Sequence, residues 1–153
     1  MYNQDILVPA LDPGKANFVG ERLRCKLLIV DDEADLRMLL TMLLEDAGFE
    51  TEEAADGTDA LYKLGNGRFD LVLLDYHMPG MDGLEGVRRF RARMPGQQVA
   101  LISGNVGPAI VEQVLEAGAI GYVPKTMSAR SLVHAIRLMA DGERFAPVDH
   151  PTG

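Results

Sequence analysis

Leu71-Val72-Leu73-Leu74-Asp75-Tyr76-His77-Met78-Pro79-Gly80-Met81-Asp82-Gly83 is the stretch that decides the fold. Four apolar residues in an unbroken run read as a strand covered on both faces. The run stops on a carboxylate and opens into a Pro/Gly loop. Asp75 is thereby placed at the C-terminal edge of a sheet, where open α/β sheets hold ligands. Two other segments end alike. Leu27-Leu28-Ile29-Val30 runs into Asp31-Asp32, and Ala119-Ile120-Gly121-Tyr122-Val123 runs into Pro124-Lys125. Three carboxylates and an ammonium, each following an apolar strand, predict one acidic pocket with a single cation above it.

Outward from this stretch the chain alternates strands with helices. Cys25 to Val30 reads as a first strand. Leu36, Leu39, Leu40, Leu43, Leu44 and Ala47 then recur at helical spacing up to Gly48. Phe49 to Ala54 is a short second strand, and Asp56 caps a helix through about Leu64, stopped by Gly65-Asn66-Gly67. Asp70 to Leu74 is the third strand. Asp82 caps a helix to Met94, closed by Pro95-Gly96. Val99 to Ile102 is the fourth strand, Pro108 suits the first turn of a helix over 107–117, and Ala119 to Val123 is the fifth strand. Ser128 caps a last helix that carries Leu132, Val133, Ile136 and Met139 and ends at Asp141-Gly142. Five strands alternating with five helices imply a parallel sheet covered on both faces. Right-handed crossovers put all strand C-termini on one edge, so the pocket follows from the connectivity.

Asp31, Asp32 and Asp75 crowded together repel. Two carboxylates about 4 Å apart cost roughly 1 kcal/mol in water and about 4 kcal/mol at an effective dielectric near 20. A hard divalent cation relieves this, and Mg²⁺ or Mn²⁺ fits a site offering only oxygens. Asp31 or Asp32 can bind it directly or through water, and Asp75 can serve as both ligand and nucleophile. A carboxylate accepts a phosphoryl group as an acyl phosphate, with the metal and Lys125 offsetting charge on its oxygens. Ser103, after the fourth strand, supplies a hydroxyl at the same edge, and Gly104 leaves room beside the backbone. Taken singly, each residue has a plainer role as cap, turn or surface group. Their joint placement at the ends of strands one, three, four and five favours the chemical one.

The chain has 153 residues, 25% of them charged and 47% hydrophobic, as in an ordinary globular domain. A net charge of -8 argues against this chain binding nucleic acid itself. The single cysteine, Cys25, excludes an internal disulfide and reads as a small strand hydrophobe. No apolar run reaches membrane-spanning length and the N-terminus lacks a signal-peptide pattern, so the expected location is the cytoplasm. Residues 1–24 read as an N-terminal extension, either a flexible arm or a segment docking through Phe18, Val19 and Leu23. Residues 25–145 read as the domain, and 146–153 as the start of a linker or a tail.

The motifs Leu-Leu-Ile-Val-Asp31-Asp32-Glu33, Leu-Leu-Asp75-Tyr-His-Met-Pro79-Gly-Met-Asp-Gly83, Ile-Ser103-Gly104 and Gly-Tyr122-Val-Pro-Lys125 resemble the receiver domain of two-component response regulators. The stretch from Ala117 to Leu132, with Asp141-Gly-Glu, is similar to the NarL/FixJ group with its LuxR-type output. The resemblance implies a flavodoxin-like, CheY-like sheet of order 2-1-3-4-5. It implies phosphate transfer to Asp75 from a sensor histidine kinase or a histidine phosphotransfer protein, with Mg²⁺. Asp31, Asp32, Asp75 and the backbone carbonyl of His77 would hold the metal. Ser103, Tyr122 and Lys125 would contact the phosphoryl group or switch with it, and His77 and Asn105 would tune how long it lasts. Such a domain is a self-catalysed phosphoacceptor and not a turnover enzyme. Ser103 is expected to move toward the phosphoryl group and Tyr122 to fill the vacated space, reshaping the face of the fourth helix, fifth strand and fifth helix. Two assemblies stay open: a receiver from a longer transcriptional regulator, or a stand-alone receiver acting through protein contacts, with or without homodimerisation. A phosphorylation-independent scaffold is the remaining variant. Two rivals fit less well. A haloacid dehalogenase-type hydrolase wants Asp-x-Asp after its first strand, and a flavodoxin wants a phosphate loop where this chain has Asp31-Asp32-Glu33. One departure from the family pattern is Thr126, where many receivers carry proline after the lysine.

Overall fold

The structure is a computed structural model that describes residues 24–104 and 106–146. Five parallel strands, β1 (Lys26–Val30), β2 (Glu50–Ala54), β3 (Leu71–Asp75), β4 (Val99–Ser103) and β5 (Gly121–Pro124), form one sheet of order β2-β1-β3-β4-β5. Five helices connect them or follow them: α1 (Ala34–Asp46), α2 (Gly57–Asn66), α3 (Gly83–Arg93), α4 (Pro108–Glu116) and α5 (Ala129–Ala140). This is the CheY-like arrangement expected from the sequence. The N-terminal extension lies outside the described residues, apart from Arg24.

Alternation along the strands divides the core in two. Leu28 and Val30 join Val72, Leu74 and Leu101 under α2, α3 and α4, together with Leu64, Val87, Phe90 and Val114. Leu27 and Ile29 join Leu71, Leu73 and Ile102 under α1 and α5, together with Leu44, Leu132, Ile136 and Met139. Each strand residue points to the face opposite its neighbour's, so a run apolar at every position buries both faces. The outer strand β2 differs. Its sequence Glu-Thr-Glu-Glu-Ala is charged and largely half-buried, as suits a sheet edge that must not pair with another chain.

Capping follows the sequence. Asp56, Asp82 and Ser128 accept from the N–H groups of Asp59, Glu85 and Ser131, opening α2, α3 and α5. After α1 the backbone reverses at Gly48, whose φ of +101° suits glycine. Three readings of the sequence are corrected. α2 runs on through Gly65 to Asn66, and β5 begins at Gly121 and not at Ala119. Leu39 does not join the core of α1: it is 60% exposed and lies beside Met38 and Met42, 53% and 61% exposed. At 100° per residue a helix on one sheet face buries only a stripe, here Leu40 and Leu44 with Leu36 and Leu43 half-buried, and Leu39 falls beside it. Cys25 is half-buried against the α1/α5 core; burial, with the nearby Asp70 and Asp141 charges, pushes its thiol pKa up, the opposite of a reactive thiolate.

Candidate functional site

Strand order reverses at β1, which sits between β2 and β3, while β3 leads on to β4. The crossovers from β1 and β3 therefore leave on opposite faces, and a crevice opens between their C-terminal ends. Val30 pairs with Leu74, so the next residues, Asp31 and Asp75, stand side by side at that crevice. Adjacent strands lie about 4.8 Å apart. One carboxylate oxygen each from Asp31, Asp32 and Asp75 fall within 4.8 Å of one another. Asp31 and Asp75 are buried and Asp32 is exposed.

Lys125, after β5, reaches across the mouth. Its Nζ is 3.1 Å from Asp31 Oδ2, 3.4 Å from Asp75 Oδ1 and 4.0 Å from Glu33 Oε1. Among the described residues the two aspartate oxygens accept no well-angled hydrogen bond, and their contact with the ammonium is ionic. Its backbone is fixed by an N–H donated to the Ser103 carbonyl at 2.8 Å. A cavity of about 360 Å³ is lined by Asp32, Glu33, Asp75, His77, Gly104 and Lys125. A Cβ on Gly104 would meet nothing within 4 Å, so the backbone there borders open space.

One ammonium shared among several carboxylates cannot satisfy all of them. Burial pushes the Asp75 carboxyl above the usual carboxylate pKa and the Asp31 charge adds to this; Lys125 and the backbone N–H of His77 pull back without cancelling it. Burial alone would lower the Lys125 pKa, but the Asp31 and Asp75 carboxylates outweigh it and hold the ammonium above its ordinary value.

The sequence-derived residues converge, with differences in detail. Ser103 is fully buried at the end of β4, and its hydroxyl has no hydrogen-bond partner among the described residues. Tyr122 is only 2% exposed, its hydroxyl 3.5 Å from the Ser103 carbonyl, so the ring is already inside the core and not wet. His77 forms part of the cavity wall. Asn105 lies outside the described residues. Reading from the sequence missed Arg37. Its Nη1 donates to the Asp31 carbonyl at 2.6 Å and its Nε to Glu53 at 2.8 Å, which fastens the acidic turn to β2. Glu33 was also unassigned. Its N–H donates to Asp31 Oδ1 at 2.9 Å, orienting that carboxylate, so Asp31 serves the turn and not the helix cap.

The donor set suits a hard cation: three clustered carboxylates, two of them buried, each of these with one oxygen that accepts no hydrogen bond among the described residues.

Known proteins resemble this chain in sequence and in fold. Residues 27–137 match the family described as "Response regulator receiver domain". The chain is 37% identical over 117 residues to the DNA-binding response regulator MtrA of Mycobacterium tuberculosis, covering 76% of this chain and 51% of that protein. It thus spans about half the length of that curated relative. It is 39% identical over 114 residues to the chemotaxis protein CheY of Pseudomonas aeruginosa, covering 72% of this chain and 92% of that protein. The crystal structure of a LuxR family DNA-binding response regulator from Silicibacter pomeroyi superposes with a TM-score of 0.72 at 37% identity, covering 81% of this chain and 98% of that one. With its fold, its acidic crevice and its motifs all of one kind, the chain belongs to the response regulator receiver domain family.

Proposed function

We propose that Asp75 accepts a phosphoryl group from the phosphohistidine of a sensor histidine kinase or a histidine phosphotransfer protein. The observation that carries this is the Asp75 carboxylate itself, buried at the crevice with its charge only partly balanced. A carboxylate oxygen attacks phosphorus, the P–N bond breaks, and an acyl phosphate forms as the imidazole leaves. Water later attacks phosphorus, the carboxyl O–P bond breaks, and inorganic phosphate leaves as the carboxylate is restored. Lys125 would balance charge on the transferring oxygens, and the Ser103 hydroxyl, without a partner among the described residues, would donate to one of them. His77 and Asn105 would flank the water path.

Asp31, Asp32, Asp75 and the carbonyl of His77 would hold a divalent cation, Mg²⁺ or Mn²⁺. When bound it supplies positive charge beside the transferring phosphoryl oxygens. The test is intact mass after incubation with acetyl phosphate and Mg²⁺. One added phosphate is expected, and none in excess EDTA. A folded protein that takes up no phosphate and binds no beryllofluoride favours the scaffold reading.

The domain would extend over 25–145, with 1–24 as an extension and 146–153 as the start of a linker or tail. Two kinds of output have support. The LuxR family likeness and the half-length coverage of MtrA favour the N-terminal part of a transcriptional regulator. The near-complete coverage of CheY is what a receiver acting alone would give. In either case this acidic chain would bind no nucleic acid itself and would work in the cytoplasm. Among the described residues, no helix is long and apolar enough to cross a membrane.

Met38, Leu39 and Met42 form an exposed apolar patch on α1, the helix that begins beside the acidic crevice. This patch suits docking of the phosphohistidine-bearing partner. Met42→Glu is expected to slow transfer from a phosphorylated partner by ~10-fold or more, the loss of one interface hot spot. Uptake from acetyl phosphate, which needs no docking, should stay unchanged. Equal slowing with both donors would assign the defect to the crevice.

A further inference from the structure

β5 is the last strand of the sheet, so its outer edge would offer unpaired backbone groups. Among the described residues, one covers it. Phe145 pairs in parallel with Gly121. The Phe145 N–H donates to the Ile120 carbonyl at 3.2 Å, and the Tyr122 N–H donates to the Phe145 carbonyl at 3.0 Å. The chain reaches this position by reversing after α5 at Gly142, with a φ of +93°. The Phe145 side chain packs against the α1/α5 core.

Gly121 makes this close approach feasible. A Cβ there would lie 2.2 Å from the Phe145 carbonyl oxygen and 2.7 Å from Met139 Sδ. A shift of a few tenths of an ångström cannot relieve that, so any larger residue at 121 must displace the Phe145 segment. The strap is therefore a fitted contact, written into the sequence at both ends.

Its partner on β5 leads straight to the crevice. The same Tyr122 whose N–H holds Phe145 has its hydroxyl 3.5 Å from the Ser103 carbonyl. That carbonyl also accepts the Lys125 N–H. We propose that the Phe145 strap is a transmission contact: bonded across Gly121 to β5, it ties the position of Tyr122 to the segment that follows α5 through Phe145. The input to this contact rests on the phosphoacceptor reading, whereas the coupling of Tyr122 to Phe145 stands without it.

Backbone hydrogen exchange on the whole chain tests the coupling residue by residue. Gly121→Ala is expected to speed exchange at the Tyr122 and Phe145 amides by about tenfold or more, while the β1 and β3 amides keep their protection. Tyr122→Ala should speed exchange at Phe145 by a similar factor, although Phe145 itself is unchanged. If Tyr122→Ala does not fold, Tyr122→Phe, which deletes only the hydroxyl, carries the same comparison at smaller amplitude. Beryllofluoride with Mg²⁺ should protect the loop after Asp75 and shift Phe145 exchange with it. A wild-type Phe145 amide exchanging at the unprotected rate, or one indifferent to the Tyr122 variants, overturns the strap. Protection after Asp75 with no response at Phe145 overturns its signalling role. No protection after Asp75 counts against the phosphoacceptor reading, and the variants then decide the strap on their own.

Discussion

Asp75→Asn is expected to take up no phosphate from acetyl phosphate and, without metal, to melt above the wild type. The first outcome follows from chemistry, since an amide cannot form the acyl phosphate. The second follows from the charge balance of the crevice. The Asp75 pKa is raised, so its carboxylate is less stable in the folded protein than in the unfolded chain. Burial and Asp31 oppose it, and only part of that is returned by Lys125 and the His77 N–H. Burial, the largest of these effects, and the Asp31 charge together exceed the pull of Lys125 and the His77 N–H, so removing the charge stabilises the metal-free fold. For a domain of this size each 1 kcal/mol gained raises Tm by roughly 2–8 °C.

The pH dependence has the same sign. With a raised folded pKa, the metal-free wild type gains stability as pH falls through that value, and the gain is complete near the ordinary 3.8. Asp75→Asn lacks this increment. Mg²⁺ at ten times its dissociation constant adds about 1.4 kcal/mol to the wild type, and less to the variant. Calorimetry in EDTA and in Mg²⁺, paired with intact mass, reads all of this. A variant still phosphorylated on the same peptide would move the acceptor off Asp75. A lower metal-free Tm would mean that Lys125 attraction outweighs Asp31 repulsion.

The crevice was legible because its acids terminate strands. An apolar run followed by a carboxylate fixes both the layer and the edge, and Val30 pairing with Leu74 turns that into adjacency. Helix caps were legible for a similar reason, since Asp56, Asp82 and Ser128 act on N–H groups three residues ahead. What escaped depends on partners distant in sequence. Arg37 meets Glu53 only because β2 lies beside β1, and no local period announces that pairing. Leu39 escaped because a helix rich in leucine has more apolar residues than its buried stripe can hold. The Phe145 bridge is a single residue, too short to leave a pattern. Tyr122 was placed on the right strand, but whether its ring lies inside or outside is a rotamer choice that alternation alone does not fix.

Lys125→Met should have the opposite effect to Asp75→Asn on the metal-free protein. The methionine keeps most of the stem and removes the ammonium, leaving Asp31 and Asp75 facing each other. Their side chains are 1% and 4% exposed and that of Lys125 is 18% exposed, so water screens this cluster poorly. Removing one member of a buried ionic cluster costs about 3–5 kcal/mol. A fall of about 10 °C or more in Tm in EDTA is expected. Mg²⁺ should restore most of it, because a cation at the carboxylates replaces the missing charge. Mg²⁺ should also bind the variant more tightly than the wild type, since the ammonium competes for Asp31 Oδ2 and Asp75 Oδ1. Phosphate uptake should nonetheless slow by about 100-fold, the cost of losing one group that balances charge on the transferring oxygens. Stability rescued by metal with uptake still impaired separates the two roles of this lysine. The first would be to neutralise the buried acids in the resting protein, and the second to meet the phosphoryl group in the transfer. An unchanged Tm in EDTA would show that the ammonium does not hold the acids together. Unchanged uptake would leave charge balance to the metal and Ser103 alone.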